Sequence, residues 1–210
     1  MNKILIATSN NGKFKEISSL LDQININSTK ITQKIPEPIE DGDDFQQNAT
    51  IKAKYYGNYF NQIALADDSG ISVPDLDNQP GIHSARFAVN PATNQRDFPF
   101  AFEKLAKMLE KIGKNPIKEQ INAYFTCNLA LFNPFINQII NFEGRVDGIL
   151  TYPARGQKGF GFDPIFTKNG MDKTFGQIDP DFKDTISHRS IAFKKLTSFL
   201  SQNNDIFRSI

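Results

Sequence analysis

Lys3-Ile4-Leu5-Ile6-Ala7-Thr8-Ser9-Asn10-Asn11-Gly12-Lys13-Phe14, followed by Ile17, Leu20 and Leu21, is the stretch whose reading decides the fold. Ile4 to Ala7 is a continuous apolar run of strand length. A polar loop follows at once, and Phe14, Ile17, Leu20 and Leu21 then recur at helical spacing. Asn10 or Asn11 is the expected N-cap. Strand, tight loop and helix in succession predict an α/β protein.

The same alternation continues outward. Ile24 to Ile31 reads as a second strand. Pro36 to Asp44 holds two prolines, Gly42 and five acidic side chains, so it is a loop. Phe45, Ala49, Ala53, Tyr56 and Phe60 then share a helical face, with Asp43 or Asp44 as cap. Ile63 to Ala66 is a further strand ending in Asp67-Asp68-Ser69-Gly70, and Ile71 to Leu76 is extended chain near a turn. Pro80 to Ala88 is a short helix or loop, and Phe98 to Ile112 an amphipathic helix. Ile121 to Phe132 and Ile136 to Phe142 alternate and are joined by Asn133-Pro134-Phe135, which predicts a hairpin of long strands. Val146 to Tyr152 extends the sheet. A glycine-rich aromatic stretch from Arg155 to Pro164 follows, then a strand remnant at Ile165-Phe166, and a last helix starts near Ser187. No repeat or linker interrupts the chain, so residues 1–210 are expected to form one α/β domain.

Composition narrows the function classes. The chain has 210 residues, with 24 Lys+Arg against 23 Asp+Glu. That balance argues against a basic nucleic-acid-binding surface. A single cysteine excludes an intrachain disulfide framework and an all-Cys zinc site. No stretch approaches the roughly 18 apolar residues of a membrane helix. The opening run is too short for a secretory signal. The expectation is a soluble cytoplasmic protein with no membrane and no nucleic-acid partner.

Four groups of residues carry candidate chemistry. Thr8 to Lys13 joins a strand to a helix N-terminus, where backbone N–H groups, two hydroxyls and Lys13 favour an anion. It is not a P-loop, because a leading glycine is missing and Phe14 stands at the magnesium-binding hydroxyl position. An ordinary cap with a solvated lysine fits the same residues. The acidic clusters around Glu40 and at Asp67-Asp68 suggest a divalent cation with a phosphorylated ligand, because adjacent carboxylates repel unless a cation or proton intervenes. Asp68 and Glu40 are the candidates for chemistry, while capping suits Asp43 and Asp44. Gly159-Phe160-Gly161-Phe162-Asp163 offers ring faces to a planar base, although burial in a core accounts equally for Phe162. Lys183 and Ser187-His188-Arg189 put cations at a helix start, where the dipole disfavours them unless an anion or carbonyl compensates. Lys52, one turn after Asn48, is placed to reach a phosphate or to pair with Asp68. Cys127 reads as a buried small residue.

In combination, the chain resembles the Ham1/RdgB family of inosine triphosphate pyrophosphatases, nearly end to end. The resemblance rests on Thr8-Ser9-Asn10-Asn11-Gly12-Lys13, Glu40-Asp41-Gly42 with Phe45, Asn48-Ala49 and Lys52. It continues through Ala66-Asp67-Asp68-Ser69-Gly70, Pro80-Gly81-Ile82-His83-Ser84-Ala85-Arg86, Gly159 to Phe166, and Ser187-His188-Arg189. It implies a long mixed β-sheet flanked by helices, with two lobes and a central cleft. It also implies a homodimer, a Mg²⁺ cofactor and hydrolysis of ITP, dITP and XTP to monophosphate and pyrophosphate. Thr8, Ser9, Asn10, Asn11, Gly12 and Lys13 would hold the phosphates with help from Lys52. Glu40 and Asp68 would hold the metal, and Asp68 would also accept the proton of the attacking water. Ser69, Phe160, Gly161, Phe162, Asp163, Lys183, His188 and Arg189 would hold the nucleoside, donors there matching the carbonyl at purine position 6.

Three positions depart from the family pattern. Gln47 stands for Glu, near the expected metal. His83 and Phe162 each stand for Tyr. Two other readings are carried forward: a nucleotide pyrophosphatase of different substrate preference, and a nucleotide-binding module without hydrolysis.

Overall fold

The structure is a computed structural model that describes residues 3–33 and 35–203; the ends of the expected 1–210 domain lie outside the described residues. The chain order is β1 (Lys3–Ile6), α1 (Asn11–Asp22), β2 (Asn27–Lys30), α2 (Phe45–Phe60) and β3 (Ala64–Val73). Next come β4 (Gln79–Pro80), α3 (Ser84–Phe87), β5 (Val89–Asn90), β6 (Gln95–Arg96) and α4 (Phe98–Lys111). The chain finishes with β7 (Ile121–Asn133), β8 (Gln138–Leu150), β9 (Phe166–Lys168), α5 (Pro180–Ile186) and α6 (His188–Gln202). Among the described residues a seven-stranded sheet has the order β2-β1-β3-β7-β8-β9, with β4 antiparallel to β3. β1 lies parallel to both β2 and β3, and β9 antiparallel to β8, so the sheet is mixed as expected.

The chain divides into two compact units, each drawn from separate stretches. The first comprises Met1–Asp68, Cys127–Gly144 and His188–Ile210; the second comprises Ser69–Thr126 and Arg145–Ser187.

In the first unit both faces of the sheet are covered, and the pleat sorts the side chains between them. Leu65 of β3 and Ile63 just before it join Cys127, Leu129 and Leu131 of β7 in one core, closed by Ile17, Leu20 and Leu21 of α1 and Ala192, Leu196 and Leu200 of α6. Ala64 and Ala66 join Ala130 and Phe132 in the other, closed by Ala49, Ala53 and Tyr56 of α2. Each fully buried Leu, Ile or Phe contributes about 1.5–3 kcal/mol. The alanines of α2 let that helix lie close to the sheet, which brings Lys52 within reach of β3.

The second unit is held by aromatic rings. Phe162 packs against Phe87, Phe98 and Phe102 at centroid distances of 6.5, 5.5 and 5.9 Å. Phe125, Phe166 and Phe175 form a second group. Ser84, inside the Pro80 to Arg86 motif, accepts from Ile71 N at 3.0 Å and donates to Gly81 O at 2.7 Å, which fastens that turn to β3.

Several expectations change. β3 does not end at Ala66 but runs ten residues, with Asp67 and Asp68 inside it. β7 alternates only at its start; from Phe125 to Asn133 both faces are buried, because helices cover both. β8 is one strand, where the sequence suggested two segments. α5 was not expected at all; Pro180 at its first turn and Asp179 as its cap are the signals that announce it.

Candidate functional site

Asp67 and Asp68 are neighbours in a strand, so they point to opposite faces of the sheet. The repulsion expected between them is relieved by the pleat, and each carboxylate meets its own cations.

On the α1/α6 face, Asp67 is fully buried. Its Oδ1 pairs with the Lys13 ammonium, and its Oδ2 accepts from Arg189 Nε at 2.9 Å. Cys127 Sγ donates to that same Oδ2 at 3.0 Å. Arg189 Nη1 pairs in turn with Glu16. The result is a buried chain: Lys13, Asp67, Arg189, Glu16. Burial pulls the Asp67 carboxyl upward, but the Arg189 and Lys13 charges outweigh it and hold the group well below the ordinary carboxylate range. Burial also pushes the Cys127 thiol up, and the Asp67 charge adds to this, so the thiol stays protonated as a donor.

On the α2 face, Lys52 Nζ donates to Asp68 Oδ1 at 2.6 Å and to Glu40 Oε2 at 3.0 Å. Two carboxylates from a strand and a loop therefore converge on one cation. The Lys52 side chain is 12% exposed, Asp68 9% and Glu40 34%. Burial raises the Asp68 carboxyl above its ordinary value, against the opposing pull of Lys52 and Lys13. Asp68 Oδ2 is buried and has no hydrogen-bond partner among the described residues. The Glu40 loop is fastened to α2: Gly42 N donates to Asn48 Oδ1 at 2.9 Å, and Asp43 N to Gln47 Oε1 at 3.1 Å. A Cβ at Gly42 would lie 2.6 Å from Gln47 Cβ, so this close approach requires glycine. Asp44 is the N-cap of α2. Gln47 thus serves the helix start, and its departure from the family pattern falls on a cap.

At the anion loop, Asn10 caps α1 and accepts from Gly12 N at 2.8 Å and Lys13 N at 3.2 Å. Two amides that the sequence offered to an anion are thus engaged by the cap itself. Thr8 Oγ1 accepts from Asn10 N, and Asn11 Oδ1 accepts from Lys30 Nζ at 2.7 Å. Lys13 is not a solvated point charge but a partner of Asp67.

The second unit holds the aromatic loop. Asp163 Oδ2 accepts from Phe160 N at 2.8 Å and from Lys183 Nζ at 2.6 Å, with both charged side chains 3% exposed. Lys183 Nζ also lies 4.8 Å from the Phe160 ring centroid, a cation–π contact. Gly159 takes a φ of +71° directly against Asp163; a Cβ there would strike that carboxylate. Phe160 is half-buried and Gly161 follows it with Ser69 also partly exposed. Phe162, in contrast, packs in the core: it is 4% exposed and ringed by three phenylalanines. Asp163 and Lys183 are likewise buried against each other, and each contacts Phe160. His83 is exposed, so that departure lies on the surface. His188 is buried at the start of α6 beside Arg189.

Sequence reasoning missed Glu16 and the parts played by Asp67 and Cys127. Glu16 was readable: it stands three residues after Lys13, on the same helical face. The Cys127–Asp67 contact spans 60 residues and depends on strand pairing that no local pattern discloses.

These features define an α/β protein with a lysine–carboxylate centre on each face of one sheet. The chain belongs to the Ham1 family, whose sequence profile matches residues 4–199. It is 42% identical over 195 residues to the dITP/XTP pyrophosphatase of Zymomonas mobilis, covering 92% of this chain and 90% of that one. It is 41% identical to the dITP/XTP pyrophosphatase of Nautilia profundicola, covering 97% of this chain and all of the relative. Among solved structures, the HAM1 protein of Coxiella burnetii matches with a TM-score of 0.82 at 31% identity over 96% of this chain and 100% of that one. The Ham1 protein of Staphylococcus aureus matches at 0.78 and 32%, over 96% and 99%. No helix among the described residues is long and apolar enough to cross a membrane.

Proposed function

We propose that this chain hydrolyses non-standard purine nucleoside triphosphates (ITP, dITP and XTP) to the monophosphate and pyrophosphate. The observation that carries this reading is the convergence of Glu40 and Asp68 on Lys52, with the buried Asp68 Oδ2 lacking a hydrogen-bond partner among the described residues. The names of the relatives, dITP/XTP pyrophosphatase, support the substrate class.

Lys13 and Lys52 are the phosphate cations. Burial lowers the Lys52 ammonium, but Asp68 and Glu40 outweigh it, so Lys52 stays charged at neutral pH. A triphosphate competes with Asp67 for Lys13, and with Asp68 and Glu40 for Lys52. Both lysines neutralise charge on the departing pyrophosphate. Asp68 takes the proton of the attacking water; burial raises its carboxyl above the ordinary carboxylate value, which makes it a stronger base.

The donors fit Mg²⁺. Glu40 and Asp68 already share one cation, the Lys52 ammonium, so their carboxylates converge on one point. No group of three or more His, Cys, Asp or Glu forms a metal cage among the described residues; Mg²⁺ takes one or two carboxylates and completes its shell with water and phosphate. Glu40 and Asp68 would hold it, and when bound it supplies charge neutralisation at the phosphate oxygens.

We assign purine stacking to Phe160, with Gly161 after it in sequence and Ser69 as a further nucleoside residue of the same unit, and base selectivity to His188 and Arg189 at the start of α6. Arg189 enters that role with Nε and Nη1 already anchored on Asp67 and Glu16, which fixes the plane of its guanidinium. His188 and Arg189 suit the 6-carbonyl of inosine and xanthosine, and oppose the 6-amino group of adenosine donor to donor. The homodimer and cytoplasmic location belong to the same reading, and solution mass measurement checks the first. The direct test is pyrophosphate release from ITP, XTP, dITP, GTP and ATP, with Mg²⁺ and with EDTA. Mg²⁺-dependent release from ITP and XTP with little from ATP is expected; equal ATP and ITP rates contradict the assignment.

A further inference from the structure

Asn128 belongs to no feature described so far. It is 1% exposed in the middle of β7, and its Oδ1 has no hydrogen-bond partner among the described residues. A buried amide oxygen in that state is costly, and few native side chains are left so. Its position in the pleat is fixed by its neighbours. Cys127, Leu129 and Leu131 face α1 and α6, while Ala130 and Phe132 face α2, so Asn128 lies on the α2 face. By the same alternation Asp68 lies on that face, opposite to Asp67. The contact of Cys127 Sγ with Asp67 Oδ2 at 3.0 Å aligns the two adjacent strands at this level. Asn128 and Asp68 therefore lie on one face of two adjacent strands, each next in sequence to a member of that contact.

Three buried polar atoms lack partners among the described residues on this face: Asp68 Oδ2, Asn128 Oδ1, and Asn48 Nδ2 from α2. Two are acceptors and one is a donor. A water molecule offers two O–H donors and accepts through its lone pairs, so its valences complement that set.

We propose that Asn128 is a positioning residue for the hydrolytic water. The inference rests on the reading of Asp68 as proton acceptor. In it, one O–H of the water points to Asp68 Oδ2 and the other to Asn128 Oδ1. The water oxygen bonds to the α-phosphorus, the bond from that phosphorus to the bridging oxygen breaks, and its electron pair leaves with pyrophosphate. One proton passes to Asp68, while the other stays on the new phosphate oxygen. Asn128 limits the rotation of the water and so raises the fraction aligned for attack.

The test compares Asn128→Ala, which removes the acceptor, with Asn128→Ser, which restores one in nearly the same volume. Steady-state ITP hydrolysis and thermal unfolding are measured on both and on the unsubstituted chain. Asn128→Ala should lose about tenfold or more in kcat with KM within twofold. Its unfolding midpoint should be unchanged or higher, since an unsatisfied amide has been removed. Asn128→Ser should recover at least a third of the lost kcat. Unchanged kcat in the alanine variant, a loss carried by KM, a lowered midpoint, or equal kcat in the two variants overturns the proposal. Asp68→Asn in the same assay separates the two ideas: if it keeps full turnover, the reading of Asp68 fails, whatever Asn128 does.

Discussion

Replacing Asp67 by Asn tests the buried chain on the α1/α6 face. The substitution keeps the shape and removes the charge. Asp67 is fully buried, and Arg189 and Lys13 beside it are 2% and 15% exposed. The amide can still accept one hydrogen bond, but its NH₂ then faces a cation donor to donor. Arg189 retains Glu16, whereas Lys13 loses the carboxylate of Asp67. Breaking a buried pair in this way costs about 3–5 kcal/mol. That is a large fraction of the roughly 5–15 kcal/mol by which domains are stable. For a chain of this size the midpoint should fall by about 6–20 °C. The effect depends on pH in a defined direction. The native Asp67 carboxyl is held well below the ordinary carboxylate value, despite the upward pull of burial. An unfolded chain protonates Asp near pH ~3.9. The stabilisation is therefore complete above that value and fades as pH falls through the lower native value. Denaturant unfolding of both proteins at neutral and acidic pH measures the gap. A neutral-pH difference under about 1 kcal/mol, or a gap that stays constant into strong acid, refutes the reasoning.

Other substitutions separate roles within the two units. Phe162→Ala should lower stability by about 3–5 kcal/mol, as a buried aromatic does, measured by denaturant unfolding. Phe160→Ala should leave stability nearly unchanged and raise the KM for ITP by roughly 5- to 150-fold, the range of a lost stack. Gly42→Ala forces a Cβ to within 2.6 Å of Gln47 Cβ and 2.9 Å of Asn48 Oδ1. It should displace the Glu40 loop and raise the Mg²⁺ concentration needed for half-maximal rate. Burial raises the Asp68 carboxyl against the pull of Lys52 and Lys13, and it must be ionised to accept a proton. Hence kcat/KM should rise with pH through a value above the ordinary carboxylate range, and a pH–rate profile locates that limb.

The fold was largely legible because its local signals agree. Ile4 to Ala7, the Asn10 cap and the 14/17/20/21 spacing specify β1 and α1 without tertiary help. The two-residue period of β3 was the harder case. Reading Ala66 as the strand end put Asp67 and Asp68 together in a loop, whereas continuation of the strand sends them to opposite faces. Glycine at 70 and four polar residues mask a strand whose pairing partners lie far away in sequence. For the site, residue types were readable and partnerships were not. Lys52 with Asp68 was foreseeable from helical spacing and proximity to the strand. Lys13 with Asp67, and Arg189 with Asp67 across 122 residues, follow from which face of the sheet α1 and α6 cover. Phe160 and Phe162 look alike in sequence; only their backbone positions make one half-buried and the other core.

Pyrophosphate release from ITP by Asp68→Asn, with ITP affinity measured on the same preparation, is the most direct test of the account. It should fall by about 10²- to 10⁴-fold, the contribution of a positioned general base, while the Kd for ITP stays within about threefold. Turnover at the unsubstituted rate would contradict it.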